Sequence, residues 1–290
     1  MSKELKVEHH TAHLNGIRIH WVSAGSGPVV YLLHGFPETW YGWRHQIPEL
    51  AEHYTVIAPD LRGYGATEKA KSGYDKRTMA NDVIALMDHL GHDKIALIGH
   101  DRGARVATRF AKDHPDRLDR LVVVDNVPTR IVADTYDIAL ARAGYWFFTF
   151  LAVPDLPETL VQGREREFLT HFFQAWSYNP ELFTPADIDV YVEAYRQPGA
   201  LRAAFDDYRA GAIDTEQDRE DADRLIACRT LVIWGTESDV VGRAYDLRDV
   251  WRQMVEQPEF LPIARCGHLT QEEQPHIVTS ALLDFLANWH

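Results

Sequence analysis

The chain holds only two cysteines, Cys228 and Cys266, without paired spacing, so neither a disulfide framework nor a zinc site is expected. It has no basic excess. Its 30 Lys and Arg against 43 Asp and Glu give a formal net charge of −13, and without a basic face to meet phosphates a nucleic-acid partner is excluded. That acidity serves solubility and leaves substrate charge open, because a site can be locally positive inside an acidic protein. No apolar run is long enough to span a bilayer, "AGYWFFTFLAV" being the most apolar. The first residues, "MSKELKVEHHTAHLNG", are polar and mixed in charge, with no secretory core. No membrane partner and a reduced, cytoplasmic setting are therefore expected. None of the 15 histidines has H-E-x-x-H spacing, so neither a metal nor a cofactor is expected. Repeats and low-complexity tracts are also missing.

What is present is alternation. Segments at Val7–His13 and Ile17–Val22, separated by "LNG", read as a hairpin. "PVVYLLHG", "YTVIAPD", "KIALIG" and "RLVVVD" are apolar runs of buried-strand type, and "RTMANDVIALMDHL" between them has helical periodicity stopped by Gly91. A further periodic segment runs from Tyr41 to His53. The order predicts a mostly parallel sheet with helices on both faces. From about Pro128 the pattern turns aromatic and helical, and strands resume at "RTLVIWG", residues 229–235. The expectation is a core of residues 1–127 and 213–290, with a helical cap, 128–212, inserted after the sixth strand.

One segment carries the chemistry. "IALIGHDRGARVATRF", residues 95–110, has a strand, a tight turn and a helix, with Gly99 and Gly103 around Asp101. The spacing is that of a nucleophile elbow, in which glycines allow a sharp turn that lifts the middle side chain above the strands. Here that side chain is a carboxylate. Its attack on an acyl carbon would give an unstable mixed anhydride, whereas attack on a saturated carbon gives an ester. Carbon–halogen or epoxide opening is therefore expected, not acyl transfer. Asp101 needs no base for the first step. Hydrolysis of the ester does need one, and His268 in "ARCGHLTQEEQP" lies in a loop before the last helix. Backbone N–H groups of Phe36 and Arg102 would hold the oxyanion. Asp125 and Asp239 are both placed to orient His268.

"HGFPET", "GHDRGARV", "DHPDRL", "VVVDNVPT", "DYRAG" and the "GH" before the closing helix together resemble the fluoroacetate and haloacetate dehalogenases of the α/β-hydrolase superfamily. The resemblance implies an α/β-hydrolase fold and a small anionic substrate. It points to Asp101 displacing halide from a 2-halocarboxylate, His268 activating water, and Asp125 as the partner acid. Arg102 and Arg105 would clamp the substrate carboxylate, a planar group that paired guanidinium donors fit. Tyr208 matches a tyrosine that steadies the departing halide. Phe147 and Phe148 stand where that family has a His-Trp pair, and phenylalanine donates no hydrogen bond to fluoride. Trp146, in a shifted register, would supply an indole N–H instead, and Trp176 would form part of the substrate wall. The family also suggests a homodimer. The segments "VPDLPETLVQGREREFLTHFF" and "PGALRAAFDDYRAG" are similar to caps of bacterial epoxide hydrolases, which gives the alternative reading: oxirane opening with the same Asp–His machinery and Tyr208, with Tyr145 or Tyr178, as proton donor.

Overall fold

Strands buried on both faces need apolar residues at successive positions, and the central runs provide them. The computed structural model describes residues 5–287. Eight strands form one sheet: β1 Glu8–Leu14, β2 Ile17–Ala24, β3 Val29–Leu33, β4 Thr55–Pro59, β5 Ile95–His100, β6 Leu118–Val124, β7 Arg229–Gly235 and β8 Pro258–Ile263. Their order is β1-β2-β4-β3-β5-β6-β7-β8. β2 pairs antiparallel with β1 and β4, and every other pairing is parallel. This is the mostly parallel sheet expected from the alternation, in the α/β-hydrolase arrangement that the resemblance implies.

Local chemistry sets the element ends. β1 and β2 join through Asn15 and Gly16, both at positive φ (46° and 78°), which matches the twist of a tight hairpin. The Lys76–Leu90 helix starts at Asp75, whose side chain accepts from Thr78 N at 3.1 Å, and stops at Gly91, φ 72°. The periodic stretch from Tyr41 to His53 is broken into two short helical turns, Trp40–Trp43 and Ile47–Leu50. Pro48 opens the second turn and has no N–H with which to continue a preceding helix. After β6, every described element from Thr129 to Glu220 is helical. No helix among the described residues is long and apolar enough to cross a membrane.

The parallel strands run the same way, so their carboxyl ends share one edge. The residues just beyond β3, β5, β6, β7 and β8 therefore converge there. That edge is where open α/β sheets place ligands.

Candidate active site

The elbow forms because β5 passes straight into the Asp101–Asp113 helix. Asp101 sits at φ 45°, a conformation costly for a side chain with a Cβ. The close packing underneath explains Gly103, where a Cβ would collide with the carbonyl oxygens of Leu33 and His34. The turn aims the Asp101 carboxylate upward. Its Oδ2 accepts from Phe36 N at 3.0 Å, and Asn126 Nδ2 donates to its backbone oxygen at 3.0 Å.

β6 ends at Asp125, also at positive φ (43°), and the loop after β8 delivers His268. His268 Nδ1 lies 2.6 Å from Asp125 Oδ2, and Nε2 faces Asp101 Oδ1 at 3.9 Å. Asp125 also accepts from Gly235 N at 2.9 Å and Ser238 Oγ at 2.8 Å, so its buried charge is fully partnered. Of the two candidate acids, Asp239 is not at the histidine. It pairs with Arg243 at 2.7 Å on an exposed loop. The Trp176 carbonyl accepts from His268 N at 2.7 Å, and its ring packs edge-on to the imidazole at 4.9 Å, tying the histidine loop to the helical segment between β6 and β7.

A cavity of about 320 Å³ opens over these groups. Asp101, Arg102, Arg105, Tyr145, Phe147, Phe148, Trp176, Tyr208 and His268 contribute to its wall, with Val240 and Val241 from the loop after β7. Phe36 lies beneath, its ring edge-on to Tyr208 at 5.4 Å. Trp146 is not in the wall, which corrects the sequence expectation. The helix breaks at Gly144 (φ 167°, ψ −18°), inside a π-helical turn, Ala141–Tyr145. The Trp146–Phe150 helix that follows turns Phe147 and Phe148 inward. Trp146 is left 41% exposed, stacked on Phe172. Tyr178 is likewise exposed and lies away from the cavity.

The arginines differ from the expected pair of free clamps. Arg102 is buried and donates through Nε (2.9 Å) and Nη2 (2.6 Å) to the Asp207 carboxylate, leaving only Nη1 without a partner. Asp207 also receives Lys76 Nζ and, at 2.7 Å, the Tyr64 hydroxyl. Burial alone would raise the Asp207 carboxyl, yet Arg102 and Lys76 hold it below the ordinary range. Arg102's charge is thus matched inside the protein. Arg105 donates Nη1 to Thr129 Oγ1 at 2.8 Å, and its Nε has no partner. Asp207 escaped the sequence reading, although "DDYRAG" places it next to Tyr208. Val240 and Val241 gave no signal at all.

The hydroxyls of Tyr145 and Tyr208 have no hydrogen-bond partner among the described residues, while both rings line the cavity. Burial first, and the Asp101 charge with it, pushes both phenols well above their ordinary range. They remain protonated donors at neutral pH.

Behind the elbow, His100 Nδ1 pairs with Glu38 Oε2 at 2.8 Å, and Nε2 donates to the His268 carbonyl at 2.9 Å. Burial would lower the imidazole, but Glu38 more than offsets it and holds His100 at about 9. Burial also raises Glu272 beside Glu38. Both groups bind protons more tightly folded than unfolded. That stabilisation is present at low pH and fades as pH climbs past the unfolded values toward the folded ones. The unfolding temperature should fall steadily from about pH 6.5 to about pH 8. Calorimetry across that window checks this, and a flat or rising profile contradicts it.

Comparison with known proteins follows the same lines. Residues 28–275 match the alpha/beta hydrolase fold family. A soluble epoxide hydrolase of Corynebacterium sp. (strain C12) is 41% identical over 286 residues, covering 97% of this chain and 98% of that protein. A fluoroacetate dehalogenase of Burkholderia sp. is 34% identical over 289 residues, covering 97% and 94%. Among solved structures, the epoxide hydrolase CorEH, without ligand, superposes with a TM-score of 0.92 at 37% identity, over 98% of this chain and 100% of that one.

Proposed function

The chain belongs to the alpha/beta hydrolase family, and on that premise we propose that it hydrolyses neutral epoxides to diols through an aspartyl ester on Asp101. The observation that carries this reading is that Tyr145 and Tyr208, whose hydroxyls have no hydrogen-bond partner among the described residues, line the same cavity as Asp101. An opening oxirane leaves an alkoxide, and a neutral phenol is the group that protonates it. Similarity over nearly the full length to a soluble epoxide hydrolase supports the same reading.

In the proposed mechanism Asp101 Oδ1 attacks the oxirane carbon, the ring C–O bond breaks, and the new alkoxide takes a proton from a tyrosine. Oδ2, held by Phe36 N–H, becomes the ester carbonyl oxygen. His268, oriented by Asp125, then takes a proton from water as the water oxygen adds to the ester carbon. The resulting oxyanion is the former Oδ2, already beside Phe36 N–H, and the N–H of Arg102 has no acceptor within its own helix. Collapse breaks the ester C–O bond and releases the diol. The leaving alkoxide takes the proton held by His268, and the second proton of the water, left on the regenerated Asp101 carboxyl, passes to the tyrosinate, so that every group is restored.

A second reading, dehalogenation of short 2-halocarboxylates, is favoured by Arg102 Nη1 and Arg105 Nε, two unpartnered guanidinium donors on residues of the cavity wall. The sequence motif ranks this reading first. The order reverses here because Asp207 already balances Arg102 and because Phe147 and Phe148 offer a leaving halide no N–H donor. Incubation with styrene oxide, chloroacetate and fluoroacetate separates the two: diol without halide supports epoxide opening, and halide without diol overturns it. Tyr208→Phe and Tyr145→Phe should each lower kcat/KM for styrene oxide about tenfold, and the double variant by about 10² or more. Unchanged rates in the double variant would remove the tyrosines from the mechanism.

A further inference from the structure

Asp125, His268, Tyr145 and Tyr208 are buried and the Asp101 side chain is only 13% exposed, so substrate must cross a wall to reach them. On the other side of one part of that wall is an open surface cavity of about 860 Å³, lined by Asp137, Leu140, Ala143, Asp239, Arg243 and Ala244 among others. Two chain segments form the partition between the cavities, and each contributes to both. From the cap, Ala143 lines the outer cavity and Tyr145 the inner one. From the core loop after β7, Asp239, Arg243 and Ala244 line the outer cavity while Val240 and Val241 line the inner one. Gly144 lies against Val240 and Asp239: a Cβ there would be 3.4 Å from Val240 Cγ1 and 3.6 Å from the Asp239 carbonyl oxygen. The partition is therefore about one residue thick, and glycine on valine is its thinnest line.

We propose that the outer cavity is the entry vestibule for substrate, and that Tyr145 with Val240 forms the gate into the reaction chamber. The segments that meet there suit the role. The cap side is a helix interrupted at Gly144, so it is not locked by a continuous backbone ladder. The core side is a loop held largely by its own turn hydrogen bonds, such as Arg243 N to Ser238 O at 2.8 Å. Among the described residues, the rim's hydrogen bond between the two sides is one hydroxyl pair, Thr135 and Tyr245 at 3.1 Å. The charges at the mouth favour a neutral visitor. Asp239 is matched by Arg243, while Asp137 caps Leu140 N at 2.7 Å, so the charged residues that line the cavity carry a net negative charge. An anionic substrate would meet repulsion there, whereas an epoxide would not. The choice of substrate rests on the oxirane reading, but the path does not.

The test compares a small epoxide, propylene oxide, with a bulky one, trans-stilbene oxide. Ala143→Trp fills the vestibule from an exposed position where folding is not at stake, and Val240→Ala widens the gate. Ala143→Trp should lower kcat/KM for the bulky epoxide about tenfold more than for the small one, and Val240→Ala should raise the bulky-to-small ratio by a similar factor. Equal losses for both sizes, or no change in either variant, would overturn the route. If the wild type releases halide and makes no diol, the function reading fails on its own. The same variants assayed with chloroacetate and 2-chloro-3-phenylpropanoate then still decide the path by the same ratio.

Discussion

Replacing His268 with Asn should reduce steady-state turnover at least about 10³-fold while leaving the first chemical step intact. In the proposed mechanism Asp101 is the attacking group, and a carboxylate attacks carbon without a base. The histidine is needed afterwards, when water must add to the ester. His268 Nε2 stands 3.9 Å from Asp101 Oδ1, too far to hydrogen-bond the carboxylate directly and close enough to serve a water placed at the ester carbon. The variant should therefore stall as a covalent adduct. Mass spectrometry after brief exposure to styrene oxide should show the peptide containing Asp101 heavier by the mass of the epoxide. The fold should tolerate the change, because Asp125 keeps Gly235 N and Ser238 Oγ as donors when the imidazole is gone. If only unmodified peptide is found with a substrate that the wild type consumes, the covalent route is wrong.

Asp101→Gly should abolish turnover, a loss of about 10⁴-fold or more, without weakening the fold. Asp101 is held at φ 45°, where a residue with a Cβ costs roughly 1–2 kcal/mol and glycine costs little. The substitution also takes a negative charge away from a site that already contains buried Asp125. It gives up one hydrogen bond, from Phe36 N, a contribution of about 1 kcal/mol. The two effects nearly cancel, and the backbone relief comes at the expense of chemistry alone. Thermal unfolding checks this. A drop of more than about 4 °C, over 1 kcal/mol for a chain of this size, would mean that the elbow is not strained in the native protein.

The hairpin, the buried parallel strands and the elbow were legible because each is written in contiguous residues. Asn15-Gly16 permits one turn, and "IALIG" fits a strand covered on both faces. A carboxylate between Gly99 and Gly103 is the local signal behind the expectation of attack on saturated carbon. Such signals depend on φ/ψ preference and periodicity, which are local. The choice of acid was not local. Asp125 and Asp239 both follow strands that end at the same sheet edge, and only the packed loop after β7, with Ser238 on Asp125 and Arg243 on Asp239, separates them. Trp146 stays outside for a related reason: the Trp146–Phe150 helix after the interruption at Gly144 turns Phe147 and Phe148 inward, so the shifted register that would bring the indole to the cavity is not adopted.

The sequence by itself determined the α/β-hydrolase scaffold, the carboxylate at the elbow and the two-step ester chemistry that a carboxylate and a loop histidine can carry. Only the tertiary structure decided what surrounds them: Asp207 reaching from the Ala200–Arg209 helix to balance Arg102, two tyrosine hydroxyls without partners among the described residues, and a thin partition of Gly144 against Val240. These features depend on which charges and hydroxyls find each other across more than 100 residues of chain, as Arg102 and Asp207 do at a separation of 105. Pairing over that distance is set by how cap and core pack, and no local propensity encodes it.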